Sequence, residues 1–383
     1  MTTRPGAQRR ELRPQYLRSA ARYAASRSDH NRPEPIVFGW DIGGAHVKAA
    51  MLIGSLVHDV AQWPCPLWLG INQLDMPMQA ARARWPDLDR HPHAITMTGE
   101  MADCFANREA GVARIAQALA AALPAPEFFA GDAGWCSTAQ AAAHWQHIAS
   151  ANWLATARHT AQALRDHCGV LVDIGSTTTD LIAFAHGQVL TTSRTDAQRL
   201  EHSELVYQGV VRTPLCVLAQ RIAWRNTELN VMNELFATTA DVYRLTGELD
   251  PLHDQHPSAD NAPKDAAATH ARLARLIGLD ARDGNAAEWL AFARAWRDLQ
   301  LAILRGQLER VMRSHDLKAP ALLVSTGCGD VLVPELVPPG WEQVTYADTV
   351  ARFTEQAAFP TQRWAQVGAP SIAVAALWAK EHR

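Results

Sequence analysis

The sequence contains two copies of one pattern, VFGWDIGGAHVK at residues 37–48 and LVDIGSTTTD at residues 171–180. In each copy an apolar segment leads to an aspartate, Asp41 or Asp173, and a turn of small residues follows. Small residues let backbone N–H groups approach an anion closely. Strand-like sequence resumes after each turn, so each copy is predicted to be a β-hairpin with a phosphate at its tip, not a strand-to-helix phosphate loop. Two copies, a domain's length apart, indicate duplicated halves that hold one polyphosphate and its metal from opposite sides.

The segments around each copy follow the same order. Apolar or alternating strands are predicted first, at 36–41, 46–53 and 56–62 and again at 170–173, 179–185 and 188–193. Alternating helices and strands follow the first set, with helices at 71–84, 108–122 and 151–166 and strands at 94–98 and 127–129. A meander followed by alternating helix and strand, used twice, predicts an α/β fold: a duplicated RNase H-like fold of two lobes with an interdomain cleft.

The length of 383 residues favours two domains. Residues 1–35 are expected to form a disordered or partly helical tail, 36–168 the first lobe and 169–370 the second. The stretch 251–266, rich in Pro, Asp, His and Ala, is expected to be an exposed loop, and a helical region at 271–317 is expected to follow it. The helix of small residues at 371–383 is expected to return to the first lobe.

Bulk properties exclude several classes of partner. A net charge of -3 and a pI near 6.6 argue against nucleic acid and acidic membranes. The sequence has no apolar run of membrane-spanning length, and its basic start lacks an apolar signal core, so a cytoplasmic protein is expected. The six scattered cysteines indicate reduced, mostly buried thiols. A homo-oligomer remains open.

The two turns supply groups suited to a diphosphate with Mg²⁺. Backbone N–H groups and hydroxyls are expected from Gly43, Gly44, Gly175, Ser176, Thr177 and Thr178. Lys48 and His46 are expected to add positive charge. Mg²⁺ keeps several waters and takes few protein ligands, and Asp41, Asp173 and Asp180 are the predicted ones. The alternatives are a solvated strand position for Lys48 and a turn or strand-edge position for Asp180.

Further polar residues are candidates for catalysis and substrate binding. Besides Asp41 and Asp173, Glu100 and Asp103 are predicted catalytic groups, with a helix cap and first-turn acid as the alternative. Arg212 and Thr213 are candidates for binding a carboxylate or phosphate, and Asn152 and Trp153 for lining the cleft. Asn233 and Glu234, with Thr238, Thr239 and Asp241, are expected to form a site wall. The alternative for Arg212 is a loop ion pair, and the alternative for Trp153 is packing at the start of a helix. For the cluster at 233–241 the alternative is a satisfied buried network.

The order of these pieces resembles that of the actin-like ATPase superfamily. The first phosphate loop corresponds to 41–48, the second to 173–180, an adenosine-type segment to 324–330, and a connecting helix follows 368–370. The second loop is most similar to the hydantoinase A/oxoprolinase branch. The resemblance also implies substrate contacts at Gly327 and Gly329.

Longer segments resemble a narrower family, the proteins linked to tetrahydromethanopterin-dependent one-carbon transfer. These segments are PCPLW at 64–68, TMTGEMADCF at 96–105, IASANW at 148–153, YQGVVRTP at 207–214 and NELFATTADVY at 233–243. Archaeal relatives act in methanofuran biosynthesis. The resemblance implies a synthase that joins an aminomethylfuran diphosphate to the phenol oxygen of a tyramine derivative and releases diphosphate.

One departure bears on ATP. The segment TGCGD at 326–330 carries Cys328 and Asp330, and is more acidic than in nucleotide-binding relatives. This favours a furan diphosphate over ATP. An ATP-dependent kinase or ring hydrolase remains the second hypothesis, and a nucleotide-switched scaffold the third.

Overall fold

The computed structural model describes residues 34–383. The predicted tail, residues 1–35, lies outside the described residues except for its last two positions. Residues Ile36–Arg383 form one compact unit.

A mixed sheet is built from the first part of this unit. Its strands are β1 (Ile36–Ile42), β2 (His46–Ile53), β3 (Leu56–Pro64), β4 (His93–Met97), β5 (Glu127–Phe129) and β6 (Trp135–Ser137). They lie in the order β3-β2-β1-β4-β5-β6. β1, β2 and β3 form an antiparallel meander, and β4 pairs with β1 in parallel on the other side.

The second sheet repeats this plan. The later strands are β7 (Cys168–Ile174), β8 (Thr179–Ala185), β9 (Gln188–Val189), β10 (Leu205–Val206), β11 (Arg221–Trp224), β12 (Thr227–Asn230), β13 (Leu322–Thr326) and β14 (Glu342–Thr345). β7 pairs antiparallel with β8 and in parallel with β13, while β11 and β12 form a separate ribbon. The order β10-β8-β7-β13-β14 therefore matches β3-β2-β1-β4-β5. The predicted duplicated RNase H-like fold is confirmed.

Helices fill the connections. They are α1 (Asp75–Arg84), α2 (Arg108–Ala122), α3 (Thr138–Ala141), α4 (Trp145–Ile148), α5 (Asn152–Ala163), α6 (Asp196–Glu201), α7 (Thr239–Thr246), α8 (Ala266–Arg275), α9 (Ala286–Ser314), α10 (Tyr346–Thr349), α11 (Phe359–Val367) and α12 (Ala369–Glu381). Short 3-10 turns lie at Leu67–Leu69, Ile71–Leu74, Leu88–Arg90, Gly99–Met101, Gly131–Ala133, Leu215–Val217, Pro251–His253, Ala281–Asp283 and Asp330–Glu335.

Helices α5 and α12 join the two sheets. α12 is apolar on nearly all sides, and such a helix is stable only when buried. It packs against α5 and against β1, β2 and β4. The same hydrophobic core includes Val37 and Ala50 of the first sheet and Leu171 and Ile182 of the second. This shared interior places the tips of both central hairpins in one region.

Three segments differ from the expectations. The predicted strand 188–193 ends at Val189, and the helical region expected after residue 271 is two helices, α8 and α9, separated by the 3-10 turn Ala281–Asp283. The stretch 251–265 is irregular but not wholly exposed, because His253 is buried. All six cysteines are free, but Cys65 and Cys136 alone are buried and the other four are half-buried.

Candidate functional site

Both hairpin turns line one cavity of about 530 Å³. Asp41, Gly43 and Lys48 come from the first hairpin, and Asp173 and Gly175 come from the second. The other predicted phosphate-binding and metal-binding residues also line this cavity: Gly44, His46, Ser176, Thr177, Thr178 and Asp180. The structure thus brings together the complete predicted phosphate and metal set in one cleft.

The two turns close in the same way. The Gly43 N–H donates to the His46 carbonyl at 2.9 Å, and the Gly175 N–H donates to the Thr178 carbonyl at 2.8 Å. Each bond joins the ends of a short hairpin connection, so the residues between them are presented at the tip. Because these residues are small, their backbone is accessible from the cleft.

The segment Gly209–Arg212 supports the second turn. The Val210 N–H donates to the Gly175 carbonyl at 3.1 Å, and the Arg212 N–H donates to the Ser176 carbonyl at 2.9 Å. A Cβ atom at Gly209 would lie 2.5 Å from the Ser176 carbonyl carbon, so no side chain fits there. This close approach requires glycine and holds the turn in place.

Arg212 and Thr213 follow that segment but differ in placement. The Arg212 guanidinium lines the cleft and lies 4.8 Å from the Trp68 ring centre. The buried Thr213 hydroxyl donates to the Gly209 carbonyl at 3.2 Å and accepts from the Gly209 N–H at 2.8 Å. Arg212 is therefore available to an anionic ligand, whereas Thr213 stabilises the loop.

Buried carboxylates dominate the electrostatics of the cleft. Asp41 Oδ2 lies 3.4 Å from Lys48 Nζ, and Asp41 Oδ1 is buried with no hydrogen-bond partner among residues 34–383. Burial and then the neighbouring Asp180 raise the pKa of Asp173 to about 7. Burial lowers the pKa of Lys48, but Asp41 and Asp173 outweigh that effect and raise it overall. Lys48 is therefore charged, and among the buried and half-buried aspartates of residues 34–383 that line the cleft, Asp173 is the one without an ion pair.

These groups fit a hydrated Mg²⁺. In the described part of the chain, no three His, Cys, Asp or Glu side chains are close enough to hold a metal by themselves. Mg²⁺ needs only one or two carboxylates when waters and substrate phosphates complete its shell. The unpartnered Asp41 Oδ1 and the crowded Asp173 meet that requirement. Asp180 is already bonded to Arg199, so its role as a ligand stays a prediction.

An ion-pair network crosses between the lobes at the edge of the cleft. Asp180 pairs with Arg199, and Arg199 also pairs with Asp196 at 3.2 Å. Asp196 pairs with Arg108 of the first lobe at 2.6 Å, and its Oδ2 lies 3.1 Å from Ser150 Oγ. The Arg199 guanidinium also covers the Trp153 ring at 4.3 Å. This network fixes the orientation of Asp180.

The two predicted acids Glu100 and Asp103 occupy different environments. Asp103 is exposed and lines the cleft. Glu100 is buried behind Ser150, whose hydroxyl donates to Glu100 Oε1 at 2.8 Å. Burial raises the pKa of Glu100 to about 7, although the Ser150 hydrogen bond opposes the shift. Glu100 is absent from the cleft lining, and its hydrogen bond to Ser150 connects it to that surface.

The expectation that His46 adds positive charge is wrong. Burial and then the nearby His256 lower the pKa of His46 to about 2, so its imidazole is neutral. Its ring lies 4.8 Å from that of His256, which also bonds the Ala45 carbonyl at 3.0 Å. His46 can offer a phosphate a hydrogen bond but no charge.

Several predicted substrate residues lie away from the cleft. Asn152 lines it, but Trp153 is buried beneath Arg199, as the packing alternative implies. Asn233 and Glu234 are exposed and are not in its lining, so they do not form an enclosed site wall. Gly327 lines a different cavity, and Gly329 packs against Ile174.

The rest of the expected wall is a satisfied buried network. Asp241 bonds Arg244 at 2.6 Å and Arg272 at 2.8 Å. Its side chain also accepts from the Thr238 N–H at the start of α7. These contacts match the alternative interpretation, so Asp241 stabilises the second lobe.

Sequence analysis did not single out several residues of the cleft. The sequence could have indicated an ion pair between Asp196 and Arg199, because an acid and a base three residues apart lie on the same face of α6. His256 had none, because its stretch has the composition of an exposed loop. Trp68 and Ser150 lie within quoted segments, but nothing in their spacing indicates which way they point.

The repeated sheet and its two facing hairpins define an α/β protein of the actin-like ATPase fold class. The chain belongs to the hydantoinase/oxoprolinase family, whose profile matches residues 92–355. No helix in residues 34–383 combines the length and apolar character needed to cross a bilayer.

Similar curated proteins are archaeal enzymes. The (4-{4-[2-(gamma-L-glutamylamino)ethyl]phenoxymethyl}furan-2-yl)methanamine synthase of Methanocaldococcus jannaschii is 28% identical over 303 residues, which cover 78% of this chain and 88% of that protein. The synthase of the same name from Methanococcus vannielii is 28% identical over 179 residues, covering 47% of this chain and 78% of that protein. Among solved structures, nucleotide-free acetone carboxylase matches with a TM-score of 0.49 and 10% identity, covering 90% of this chain and 70% of its own.

Proposed function

We propose that this protein is a transferase that joins an aminomethylfuran diphosphate to the phenol oxygen of a tyramine derivative and releases diphosphate. The reaction would serve the assembly of a methanofuran-type cofactor for tetrahydromethanopterin-linked one-carbon metabolism, in the cytoplasm. The observation that carries the proposal is the convergence of both hairpin turns on one cleft, in a chain similar to synthases of such a product.

The cleft suits a diphosphate leaving group. Backbone N–H groups at the two turns and the charged Lys48 are donors for phosphate oxygens. Arg212 lies on the same cleft and supplies a second positive charge. We propose that Asp41 and Asp173 hold a hydrated Mg²⁺, which when bound neutralises charge that builds up on the departing diphosphate.

The reaction balances without ATP. The bond between the furfuryl carbon and the diphosphate oxygen breaks, and the phenol oxygen bonds to that carbon. The phenol proton, with an ordinary pKa near 10, passes to a carboxylate of the protein. Asp103 lies on the cleft surface, and Glu100 is reached through the Ser150 hydroxyl. Both remain candidates for this base.

Membership of the hydantoinase/oxoprolinase family supports one alternative, an ATP-dependent ring hydrolase. In that case the same turns would hold the phosphates of ATP. The feature that counts against it is the turn Gly327–Asp330, which is more acidic than the segment it resembles in nucleotide-binding relatives.

One assay separates these functions. The purified full chain with Mg²⁺, an aminomethylfuran diphosphate and a tyramine derivative should release inorganic diphosphate only when both substrates are present. Omission of each substrate in turn is the control for simple hydrolysis. ATP hydrolysis stimulated by a hydantoin or 5-oxoproline, with no diphosphate from the furan mixture, would establish the alternative. Tight ATP binding with nucleotide-dependent assembly and neither activity would indicate a scaffold.

A further inference from the structure

The stretch 251–265 reaches from the second lobe to the first of the two hairpin turns. Within it, His256 Nε2 lies 3.0 Å from the carbonyl oxygen of Ala45, which belongs to that turn. The His256 ring also lies 4.8 Å from the ring of His46 and 5.4 Å from the ring of Trp68. His256 is not among the residues that line the cleft, so it contacts the turn from the side away from the cleft.

Ion pairs hold this stretch against the second lobe. Asp254, two residues before the histidine, is almost fully buried and pairs with Arg244 of α7 at 2.7 Å and with Lys264 at 2.9 Å. Asp260, four residues after the histidine, pairs with the buried Arg272 of α8 at 3.1 Å. Segments without helix or strand are usually the least fixed parts of a fold. Here ion pairs on both sides fix the position of the histidine.

The contact with the histidine bears on the orientation of the turn. The Ala45 carbonyl accepts from the Cys65 N–H at 2.8 Å and from His256 at 3.0 Å. In a trans peptide the C=O and the following N–H point in opposite directions, so these two bonds turn the His46 N–H away from both donors. Cys65 and His256 are outside the cleft lining, whereas Ala45 and His46 belong to it. The bond from His256 therefore favours a peptide orientation with its N–H available to a ligand in the cleft.

The histidine provides this bond without adding charge. Burial and then the nearby Arg212 lower the pKa of His256, so its ring is neutral and carries one N–H. A carbonyl oxygen only accepts hydrogen bonds, so the contact with Ala45 places that proton on Nε2. The Arg212 guanidinium, which lies 4.8 Å from the Trp68 ring centre, remains the positive charge on this side of the cleft.

We propose that His256 is a positioning residue for phosphate binding: its Nε2–H holds the Ala45 carbonyl from the second lobe and keeps the first turn in the shape that binds the diphosphate. The inference rests on the proposed function only in taking this turn to bind phosphate. Because the donor belongs to the opposite lobe, the turn has all its support only while the two lobes touch. A phosphate bound to the turn should therefore favour that arrangement.

Binding of inorganic diphosphate tests this role without the reaction. Isothermal titration calorimetry of the full chain with diphosphate and Mg²⁺ compares two replacements of the histidine. His256→Leu keeps an apolar side chain but loses the donor, and should weaken binding by about three- to tenfold, the effect of one hydrogen bond. His256→Gln keeps an N–H of similar reach and should bind within about twofold of the unaltered chain. His167→Gln is the control, because His167 is an exposed histidine.

Two results would overturn the inference. Unchanged affinity in His256→Leu would show that the bond to Ala45 does not matter for binding, and equal losses in His256→Leu and His256→Gln would show that only ring packing matters. The melting temperature shows whether His256→Leu folds. If it does not, His256→Asn replaces it, because the shorter amide does not reach the Ala45 carbonyl.

Kinetics separate positioning from a general structural role. His256→Leu should raise KM for the furan diphosphate and leave KM for the tyramine derivative unchanged, whereas a disturbed fold would change both.

The inference and the proposed function fail in different ways. Diphosphate release by the unaltered chain, with diphosphate binding that does not depend on His256, would refute the positioning role and leave the proposed function standing. Diphosphate binding that depends on His256, without release from the furan mixture, would support the role and refute the proposed function. Absence of diphosphate binding by the unaltered chain would refute the role.

Discussion

Asp41 and Asp173 occupy equivalent positions in the two sheets, but the residues paired with them in the neighbouring strands differ in charge. Asp41 pairs in register with Lys48, and Asp173 pairs in register with Asp180. The two lobes are therefore alike in backbone and unlike in charge. Asp41 has a cation beside it, whereas Asp173 faces a carboxylate that is itself paired with Arg199. This asymmetry supports the proposal that Mg²⁺ binds beside Asp173.

Asp173→Asn is expected to abolish turnover while the fold remains intact. Burial and the nearby Asp180 raise the pKa of Asp173, so an uncharged side chain of the same size does not destabilise the folded state. Diphosphate release should fall by about 100-fold or more, because the proposed metal loses charge next to the leaving group. Asp41→Asn should also abolish turnover in a folded protein, but it leaves Lys48 without its ion-pair partner, so some stability is lost as well. The measurements are diphosphate release and circular dichroism.

Asp316→Asn is the control for these two variants, because Asp316 is an exposed acid paired with Lys318. Loss of helical circular dichroism in parallel with activity would show that Asp41 and Asp173 serve the fold and not the reaction.

Lys48→Met is expected to weaken diphosphate binding by about tenfold or more, since a charged donor to the phosphate oxygens is lost. It also leaves the buried Asp41 without its partner, so the free energy of unfolding should drop by ~1–3 kcal/mol. Calorimetry with diphosphate and Mg²⁺ measures the first effect, and chemical denaturation measures the second.

A double variant separates these two effects. Lys48→Met with Asp41→Asn should regain much of the lost stability, because no unpaired charge remains, but not the affinity for diphosphate. Unchanged affinity in Lys48→Met would exclude Lys48 from the binding site.

The fold could be predicted because its signals are local. Strand–aspartate–small-residue hairpins occur twice, and the register of β1 with β2 and of β7 with β8 follows from the short turns between them. The boundaries of α2 and β2 also match their predicted ranges. The break between α8 and α9 was missed because both segments have helical composition, and the turn between them is set by tertiary packing.

The site was predictable only where the backbone determines it. Gly43, Gly175 and the aspartates are placed by the hairpins, so their convergence follows once the fold is known. Trp153 and Glu234 depend on which way a side chain points, and the sequence does not specify that. The neutral state of His46 results from burial and from His256, which is distant in sequence.

Glu100→Gln should change how stability depends on pH. The pKa of Glu100 is raised from 4.5 to about 7 by burial, so between these values the folded state binds more protons than the unfolded state. Stability must then fall as pH rises through this window. The neutral glutamine removes this contribution. Between pH 4.5 and 8, the free energy of unfolding of the variant should therefore fall by ~1–3 kcal/mol less than that of the unaltered chain.

Urea denaturation at several pH values measures this difference. The raised pKa of Asp173 also makes the free energy of unfolding fall as pH rises. The test is therefore the difference between the variant and the unaltered chain, because the variant itself will still depend on pH. Identical slopes would mean that Glu100 is not buried in its neutral form.

The last prediction identifies the base for the phenol. If Glu100 accepts the proton through Ser150, kcat should rise as pH increases through about 7, where Glu100 ionises, and this inflection should disappear in Glu100→Gln. If Asp103 accepts it directly, Asp103→Asn should lower kcat by about 100-fold, and Glu100→Gln should leave the pH profile of kcat unchanged. Ser150→Ala distinguishes a relay from a purely structural role of Glu100, because it breaks the hydrogen bond to the cleft while leaving the carboxyl group buried. A loss of kcat in Ser150→Ala with unchanged KM for both substrates would support the relay. Full activity in both Ser150→Ala and Glu100→Gln would assign the base to Asp103.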